Sequence, residues 1–169
     1  MGKRKGLAGG VLAAVVFAAG LWLWTGSGVD RAPDVTVETL EGKQLELADL
    51  RGQPVLVNFW ATDCPGCIEE MPHLKELYTD LSDDGLQMVA IAMSYDDPEA
   101  DRQLAERRDL PWRITHDADG SLAKAFGDVN LTPTTFLIDP EGRIVQETIG
   151  VLDMERLRER LRPMLESGA

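Results

Sequence analysis

The two cysteines of this chain, Cys64 and Cys67, are separated only by Pro65 and Gly66, and they are the only cysteines among its 169 residues. A nearly continuous apolar run over 55–60 precedes them, and a helical pattern follows. The pair therefore sits where a buried strand passes into the first turn of a helix. A helix N-terminus stabilises negative charge, and such a setting can lower a thiol pKa from about 8.5 to between roughly 3.5 and 7.5. The pattern predicts a dithiol suited to thiol–disulfide exchange.

Strand and helix patterns alternate along the rest of the chain, which is typical of an α/β fold with a mixed central sheet flanked by helices. The run over 55–60 is apolar enough to be a central strand covered on both faces. Asp97 before Pro98 is an N-cap signature for a second helix. The predicted elements are a hairpin over 34–47, strands at 55–60 and 86–93 with the dithiol helix between them, a helix over 98–108, an extended piece at 111–114, a short helix through 126, strands at 134–138 and 143–149, and a helix from 154.

The first 28 residues predict a membrane anchor followed by a short linker. A basic cluster over 3–5 precedes an uncharged stretch over 7–24, which as a helix is just long enough to cross a bilayer core of about 30 Å. The positive-inside rule keeps the basic cluster in the cytoplasm. We therefore expect a single-pass protein of a bacterial inner membrane, with residues 29–169 as one domain in the periplasm. A cleaved signal peptide and a buried helix of a soluble domain are the alternatives.

Charge and ligand counts argue against two classes of function. The chain has a net charge of −12, and because its first 28 residues carry three basic residues and no acid, the remainder has a net charge of −15. Phosphate repels so acidic a domain, so we expect no nucleic-acid partner. Zinc needs four ligands, and His73 and His116, the only histidines, lack finger spacing. We expect no metal and no cofactor beyond the redox-active cysteine pair.

Three segments carry a resemblance to a known family. They are NFWATDCPGC at 58–67, EMP at 70–72 and TPTTFLID at 132–139. With these segments the chain resembles the thioredoxin superfamily, and within it the membrane-anchored TlpA-like and ResA-like thiol–disulfide oxidoreductases. The match extends over residues 33–166 and includes the extra helix that this branch inserts after residues 95–97.

The resemblance implies roles for four residues at the active site. Cys64 corresponds to the exposed nucleophile and Cys67 to the buried resolving thiol. Pro133 corresponds to the loop proline that is held cis opposite the dithiol. Glu70 corresponds to an acidic residue beside the active site, and one helical turn after Cys67 it is placed to act as a base.

Five further residues are predicted to tune or extend the site. Pro65 suits the first position of a helix, and Gly66 lets a partner chain approach closely. Asp63 places a carboxylate beside the first cysteine, where it disfavours the thiolate, so we expect a reductant rather than a strong oxidant. Trp60 and Thr132 are predicted to border the substrate, Trp60 by packing beside the site and Thr132 by offering its backbone to an extended segment.

The sequence departs from the family pattern at two positions. Most members carry Trp where Asp63 stands, and thioredoxins proper carry a buried Asp where Asn58 stands. The second departure removes a proton acceptor beneath the resolving cysteine. Glu70 is predicted to take over that role, as in the ResA-like branch.

The resemblance implies reduction of protein disulfides outside the cytoplasm, with the haem-binding cysteines of apocytochrome c as a substrate and a membrane dithiol carrier as the electron donor. Two alternatives remain open. One is a peroxiredoxin-like thiol peroxidase, although Thr62 lies two residues before Cys64 rather than three, as the usual Pro-x-x-x-Thr-x-x-Cys pattern requires. The other is a tethered binding or chaperone module with an inert disulfide.

Overall fold

The computed structural model describes residues 31–167, and the elements in this range follow the predicted order. The strands are β1 (Thr36–Glu38), β2 (Gln44–Glu46), β3 (Val55–Trp60), β4 (Gln87–Ala92), β5 (Arg113–His116), β6 (Thr134–Ile138) and β7 (Ile144–Ile149). The α-helices are α1 (Pro65–Leu81), α2 (Pro98–Arg108), α3 (Ser121–Ala125) and α4 (Met154–Ser167). A 3-10 turn at Leu47–Leu50 precedes β3.

The main sheet has the strand order β5-β4-β3-β6-β7, with β3 at its centre. Strand β4 pairs parallel with β3 and β5, whereas β6 pairs antiparallel with β3 and β7. All six residues of β3 are buried, as predicted for a central strand covered on both faces. The predicted α/β architecture with a mixed sheet and flanking helices is confirmed.

Two apolar layers cover the opposite faces of this sheet, because alternate side chains of a strand point to opposite sides. Leu56 and Trp60 of β3 enter one layer, which the apolar faces of α1, α2 and α4 complete. Val57 and Phe59 enter the other, which α3, the 3-10 turn and the segment over 32–37 complete. Both cysteines belong to the first layer, so the dithiol is built on the better-covered face of the sheet.

Three phenylalanine rings dominate the second layer. Phe59 lies 5.5 Å from Phe126 and 6.0 Å from Phe136, and the latter two are 5.0 Å apart, measured between ring centroids. Replacing Phe59 with alanine is expected to lower the free energy of unfolding by about 3–5 kcal/mol, because the two remaining rings cannot fill the cavity. Urea denaturation measures this loss. Tyr95→Ala, at an exposed aromatic residue, is the control, and an equal loss in both variants would contradict the prediction.

The hairpin of β1 and β2 covers the outer side of β5. Thr39 forms an antiparallel bridge with Thr115. The backbone N–H of Leu40 donates to the carbonyl of Ile114 at 2.8 Å, and the hydroxyl of Thr115 donates to the carbonyl of Glu38 at 2.6 Å. The hairpin thereby occupies backbone groups that an edge strand otherwise leaves open to other chains.

Local sequence signals locate most boundaries well, and β5 is the exception. Helix α2 begins at Pro98 as predicted, and the Asp97 side chain accepts a hydrogen bond from the Glu99 backbone N–H at 3.0 Å. The extended piece predicted at 111–114 lies two residues too early. Proline at position 111 has no N–H for a sheet ladder, and pairing with β4 begins at Arg113.

The predicted anchor and linker over residues 1–28 lie outside the described residues. Between residues 31 and 167, no helix is both long and apolar enough to cross a membrane. The division into an anchor and a domain over 29–169 therefore stays a prediction.

Candidate active site

The dithiol occupies the junction between the central strand and the first helix. Strand β3 ends at Trp60, and after a short turn Cys64 is the N-cap residue of α1, with Pro65 in the first turn. Cys64 and Cys67 form a disulfide with their Cα atoms 5.3 Å apart. The Cys64 sulfur accepts a hydrogen bond from the Cys67 backbone N–H at 3.2 Å. A helix N-terminus thus faces the sulfur directly, which favours a thiolate there after reduction.

Both cysteines are more covered than the sequence predicted. Cys64 is 8% exposed and Cys67 is 3% exposed, so the description of Cys64 as an exposed nucleophile is wrong in extent, although its rank as the more accessible cysteine is right. The cover comes from two later segments of the chain. A methyl group placed on Gly66 would lie 3.3 Å from Cγ2 of Val151 and 3.6 Å from Cδ of Pro133.

The loop before β6 carries the proline that the resemblance implies. The peptide bond between Thr132 and Pro133 is cis, and the Pro133 ring lies against the CxxC turn near Gly66. The Pro133 carbonyl accepts a hydrogen bond from the Gly150 N–H at 2.7 Å. The small Gly66 was predicted to admit a partner chain. In the structure it admits the close approach of Pro133 and of the segment after Gly150.

Glu70 is a buried carboxylic acid one helical turn beyond Cys67. It is 1% exposed, and its Oε1 accepts a hydrogen bond from the Leu152 N–H at 3.1 Å. Its Oε2 has no hydrogen-bond partner anywhere in residues 31–167. Burial raises the pKa of Glu70 to about 7, against the opposing hydrogen bond from Leu152. The group can therefore exchange a proton near neutral pH, as a base for the resolving thiol requires.

The remaining predicted residues divide between surface and core. Asp63 is exposed beside the dithiol, and Thr132 is half-buried in the cis-proline loop. Trp60 is only 1% exposed and packs in the apolar layer beneath the cysteines. The prediction that Trp60 borders the substrate is therefore wrong, because its position in β3 points the ring into the core, and packing beside the site is its role. Asn58 is also buried, and its Nδ2 donates to Oγ1 of Thr135 at 2.9 Å.

An apolar rim extends from the CxxC turn along the cis-proline loop and the end of β7. In the part of the chain that the structure describes, the large apolar side chains with high exposure are Tyr95, Leu131, Ile149 and Val151. Val151 lies against the CxxC turn, and the Tyr95 hydroxyl lies 3.5 Å from Oγ1 of Thr132. Leu131 directly precedes Thr132, and Ile149 pairs with Thr134. Exposed apolar residues gathered at one place mark an interaction site.

The sequence interpretation missed two parts of this site. One is the segment from Ile149 to Leu152. Its signal in the sequence was the pair of large apolar residues on either side of Gly150, which a solvated turn does not need. The other is Asp96, whose carboxylate accepts hydrogen bonds from the Thr62 backbone N–H and hydroxyl. Within residues 31–167, no three His, Cys, Asp or Glu side chains are grouped so that they could hold a metal ion.

The site combines a disulfide at the N-terminus of a helix with a cis-proline packed against it and a buried carboxylic acid one helical turn further on. These groups together suit thiol–disulfide exchange. In this arrangement the helix N-terminus can activate one sulfur, and the acid is placed to exchange a proton with the other. Together with the mixed sheet, this arrangement defines a thioredoxin-like thiol–disulfide oxidoreductase. The chain belongs to the AhpC/TSA family, whose model matches residues 29–147.

Relatives and solved structures agree with this class. Thiol-disulfide oxidoreductase ResA of Bacillus thuringiensis subsp. konkukian is 37% identical over 131 residues, covering 78% of this chain and 75% of the relative. ResA of Halalkalibacterium halodurans is 31% identical and covers 93% of each chain. A thioredoxin of Neisseria meningitidis has a TM-score of 0.75 at 33% identity, covering 80% of this chain and 89% of its own. A DsbE thiol:disulfide interchange protein of Chlorobium tepidum has a TM-score of 0.74 at 25% identity, covering 82% and 98%.

Proposed function

We propose that this oxidoreductase reduces disulfides in polypeptide substrates on the outer side of a bacterial inner membrane, where residues 1–28 anchor it. The observation that carries the choice of substrate is the apolar rim. A small disulfide needs access only to the Cys64 sulfur, whereas four exposed apolar side chains along the CxxC turn, the cis-proline loop and the end of β7 fit a polypeptide segment. The basic cluster and uncharged stretch at the start of the chain support the anchor.

The exchange proceeds in two steps that balance. The Cys64 thiolate attacks one sulfur of the substrate disulfide, which forms a mixed disulfide and releases the first substrate thiolate. Ionised Glu70 takes the proton of Cys67, whose thiolate then attacks the Cys64 sulfur. This step closes the Cys64–Cys67 disulfide and releases the second substrate sulfur as a thiolate, which takes its proton from the solvent. Two electrons have passed to the substrate, and a membrane dithiol carrier returns them by the same exchange.

Reduction is the proposed direction, and apocytochrome c the proposed substrate. Asp63 is exposed next to Cys64, where its charge disfavours the thiolate and so the reduced form. The similarity to ResA oxidoreductases supports the haem-binding cysteines of apocytochrome c as the target. Those cysteines are reached in an unfolded polypeptide, which the apolar rim can contact.

Replacing Val151 with asparagine is expected to weaken the reaction with protein disulfides without changing the reaction with a small one. The polar amide disrupts the apolar rim beside Gly66 and, because it is uncharged, adds no charge beside Cys64. We expect kcat/KM for an apocytochrome disulfide to fall about tenfold, the loss of roughly one apolar contact. Turnover of hydroxyethyl disulfide should stay within twofold (about 0.4 kcal/mol).

Thr79→Asn is the matched control, because it adds the same amide at an exposed position near the far end of α1. It is expected to change neither reaction. Equal losses on the small and the protein disulfide in Val151→Asn would contradict a role in substrate contact.

The proposed function is tested by trapping substrates on the full-length, membrane-embedded Cys67→Ser protein. Without the resolving thiol the mixed disulfide at Cys64 persists, and mass spectrometry identifies its partners. We expect extracytoplasmic proteins, apocytochrome c among them, and none with Cys64→Ser. Cytoplasmic partners would contradict the proposed location, and no partners at all would favour an inert module. Consumption of peroxide by the wild type with a thiol donor would favour the peroxidase alternative.

A further inference from the structure

A cluster of linked polar groups, half-buried except for the completely buried Asp101, lies behind the loop that leads to the nucleophile. Asp96, in the loop after β4, accepts hydrogen bonds from the Thr62 backbone N–H and from the Thr62 hydroxyl, the latter at 2.6 Å. Asp101, in the first turn of α2, is completely buried, and its Oδ2 lies 2.8 Å from Nδ1 of His116 at the end of β5. Parallel strands β3, β4 and β5 bring these groups together at one edge of the sheet.

The carboxyl groups of Asp96 and Asp101 interact with each other. Oδ1 of Asp101 receives no hydrogen bond from an N–H or O–H donor within residues 31–167, and the Asp101 carboxyl contacts that of Asp96. Burial, helped by the charge of Asp96, raises the pKa of Asp101 to about 7, against the hydrogen bond to His116. Although burial opposes it, the hydrogen bonds from Thr62 hold the pKa of Asp96 below its usual range. Below about pH 7, Asp101 therefore keeps a proton that it can share with an ionised Asp96.

Other charged groups border this cluster and are already engaged. The Asp97 backbone N–H donates to Oδ1 of Asp96, and the Asp97 side chain caps α2. Arg102 pairs with Glu99 on the outer side of α2. Next to His116, the buried Asp117 carboxylate accepts the backbone N–H groups of residues 122 and 123. On the side of the dithiol the exposed Asp63 follows Thr62.

Thr62 connects this cluster to the reaction. It lies two residues before Cys64, and its N–H and hydroxyl both point to one carboxylate. The turn between β3 and α1 is short, and the Cys64 N–H donates to the carbonyl of Ala61 at 3.3 Å. Fixing Thr62 therefore limits how far the Cys64 sulfur can move from the N-terminus of α1, where the Cys67 N–H reaches it.

We propose that Asp96 is a positioning residue for the nucleophile: through Thr62 it keeps the Cys64 sulfur at the N-terminus of α1. The Asp101–His116 pair makes this positioning depend on pH. When Asp101 loses its proton, two carboxylates face each other, and Asp96 loses the hydrogen bond that stabilised its placement. The hydrogen bonds that fix Thr62 to Asp96 then weaken. The positioning role concerns the reactivity of the Cys64 thiol in the free enzyme. Its test therefore does not depend on the substrate and location proposed above.

Alkylation of Cys64 by iodoacetamide between pH 4 and 9 tests this role, with the reduced protein and with mass spectrometry to assign the modified cysteine. Asp96→Asn and Thr62→Val are both expected to raise the Cys64 pKa. A rise of about half a unit slows alkylation about threefold at pH values below that pKa. The double variant is expected to be no slower than Asp96→Asn, because both changes break the same contact. Thr62→Val removes only a hydroxyl, so it remains informative if Asp96→Asn fails to fold.

Asp97→Asn is the matched control, because it removes an equal charge next to Asp96 while asparagine still caps α2. It is expected to leave the alkylation curve unchanged. A pure charge effect has the opposite sign, since removing a nearby carboxylate favours the thiolate. If Asp96→Asn speeds alkylation while Thr62→Val has no effect, or if neither variant changes the rate, the positioning role is wrong. Additive effects in the double variant would also overturn it.

The pH dependence needs a background without Glu70, whose pKa also lies near 7. In a Glu70→Gln protein, the alkylation curve is expected to keep a second inflection near pH 7, and Asp101→Asn is expected to remove it. Coincident curves for Glu70→Gln with and without Asp101→Asn would show that Asp101 does not influence Cys64.

Discussion

Replacing Cys64 with serine is expected to abolish disulfide exchange, with a loss of at least about 10³-fold in rate, because a serine hydroxyl is not ionised at neutral pH. The structure makes the two cysteines unequal. The Cys64 sulfur is the one that caps α1 and accepts a helix N–H, and it is the more exposed of the pair. Cys67 lies deeper and can attack only after Cys64 has reacted.

The two steps can be separated with 5,5′-dithiobis(2-nitrobenzoate), which releases one coloured thiolate at each step. The reduced wild type is expected to release two equivalents and Cys67→Ser only one, at an unchanged initial rate. Cys64→Ser is expected to react at the slow rate of a buried thiol. If Cys64→Ser and Cys67→Ser release the first equivalent equally fast, the assignment of the nucleophile is wrong.

Replacing Glu70 with glutamine is expected to slow the second release by about 10²-fold at pH 8, the usual contribution of a general base. With its pKa raised to about 7 by burial, Glu70 is ionised at pH 8 and can accept the Cys67 proton. At pH 5 only about 1% of Glu70 is ionised, so the difference between wild type and variant should shrink to about twofold. The first release, which depends on Cys64, is expected to change much less at either pH.

The same substitution is expected to stabilise the protein at alkaline pH. The pKa of Glu70 lies near 4.5 in an unfolded chain and at about 7 in the fold. Between these values the folded state keeps a proton that the unfolded state has lost, so the wild type loses stability as pH rises from about 4.5 to 7. Glutamine does not ionise. The melting temperature of Glu70→Gln should therefore exceed that of the wild type at pH 8 and match it at pH 4.

Glu69→Gln supplies the control for both measurements, because it changes the neighbouring residue on the exposed side of α1. It is expected to leave the second release and the pH dependence of melting as in the wild type. A Glu70→Gln protein that resolves the mixed disulfide at the wild-type rate at pH 8 would show that another group accepts the proton.

The parts of the fold that could be predicted are those that neighbouring residues in the sequence determine. Strand β3 is specified by six consecutive residues of which five are apolar. The start of α2 is specified by Asp97 followed by Pro98. Cys64 and Cys67 could be assigned to a strand-to-helix junction for the same reason. Periodicity did not reveal which face of β3 carries Trp60, because both faces are buried and the strand gives no polar side to orient it.

The contacts that complete the site depend on distant parts of the chain. Glu70 binds the backbone of Leu152, 82 positions later, and no local pattern encodes that partner. Asp96 meets Asp101 only because β4 and α2 bring them back to the end of β3. One signal was available, since Asp101 stands on the same helical face as Leu104 and Ala105, which pack on the core. An acid on an apolar face indicates a buried partner.

The hairpin that covers β5 has a consequence for how this enzyme handles its substrates. An enzyme that reduces disulfides in unfolded polypeptides, as proposed above, meets segments that readily add to open sheet edges and nucleate aggregates. With Thr39 and Leu40 bonded to β5, that edge does not offer a template. The same hairpin that completes the sheet therefore closes the β5 edge to strand addition by such segments.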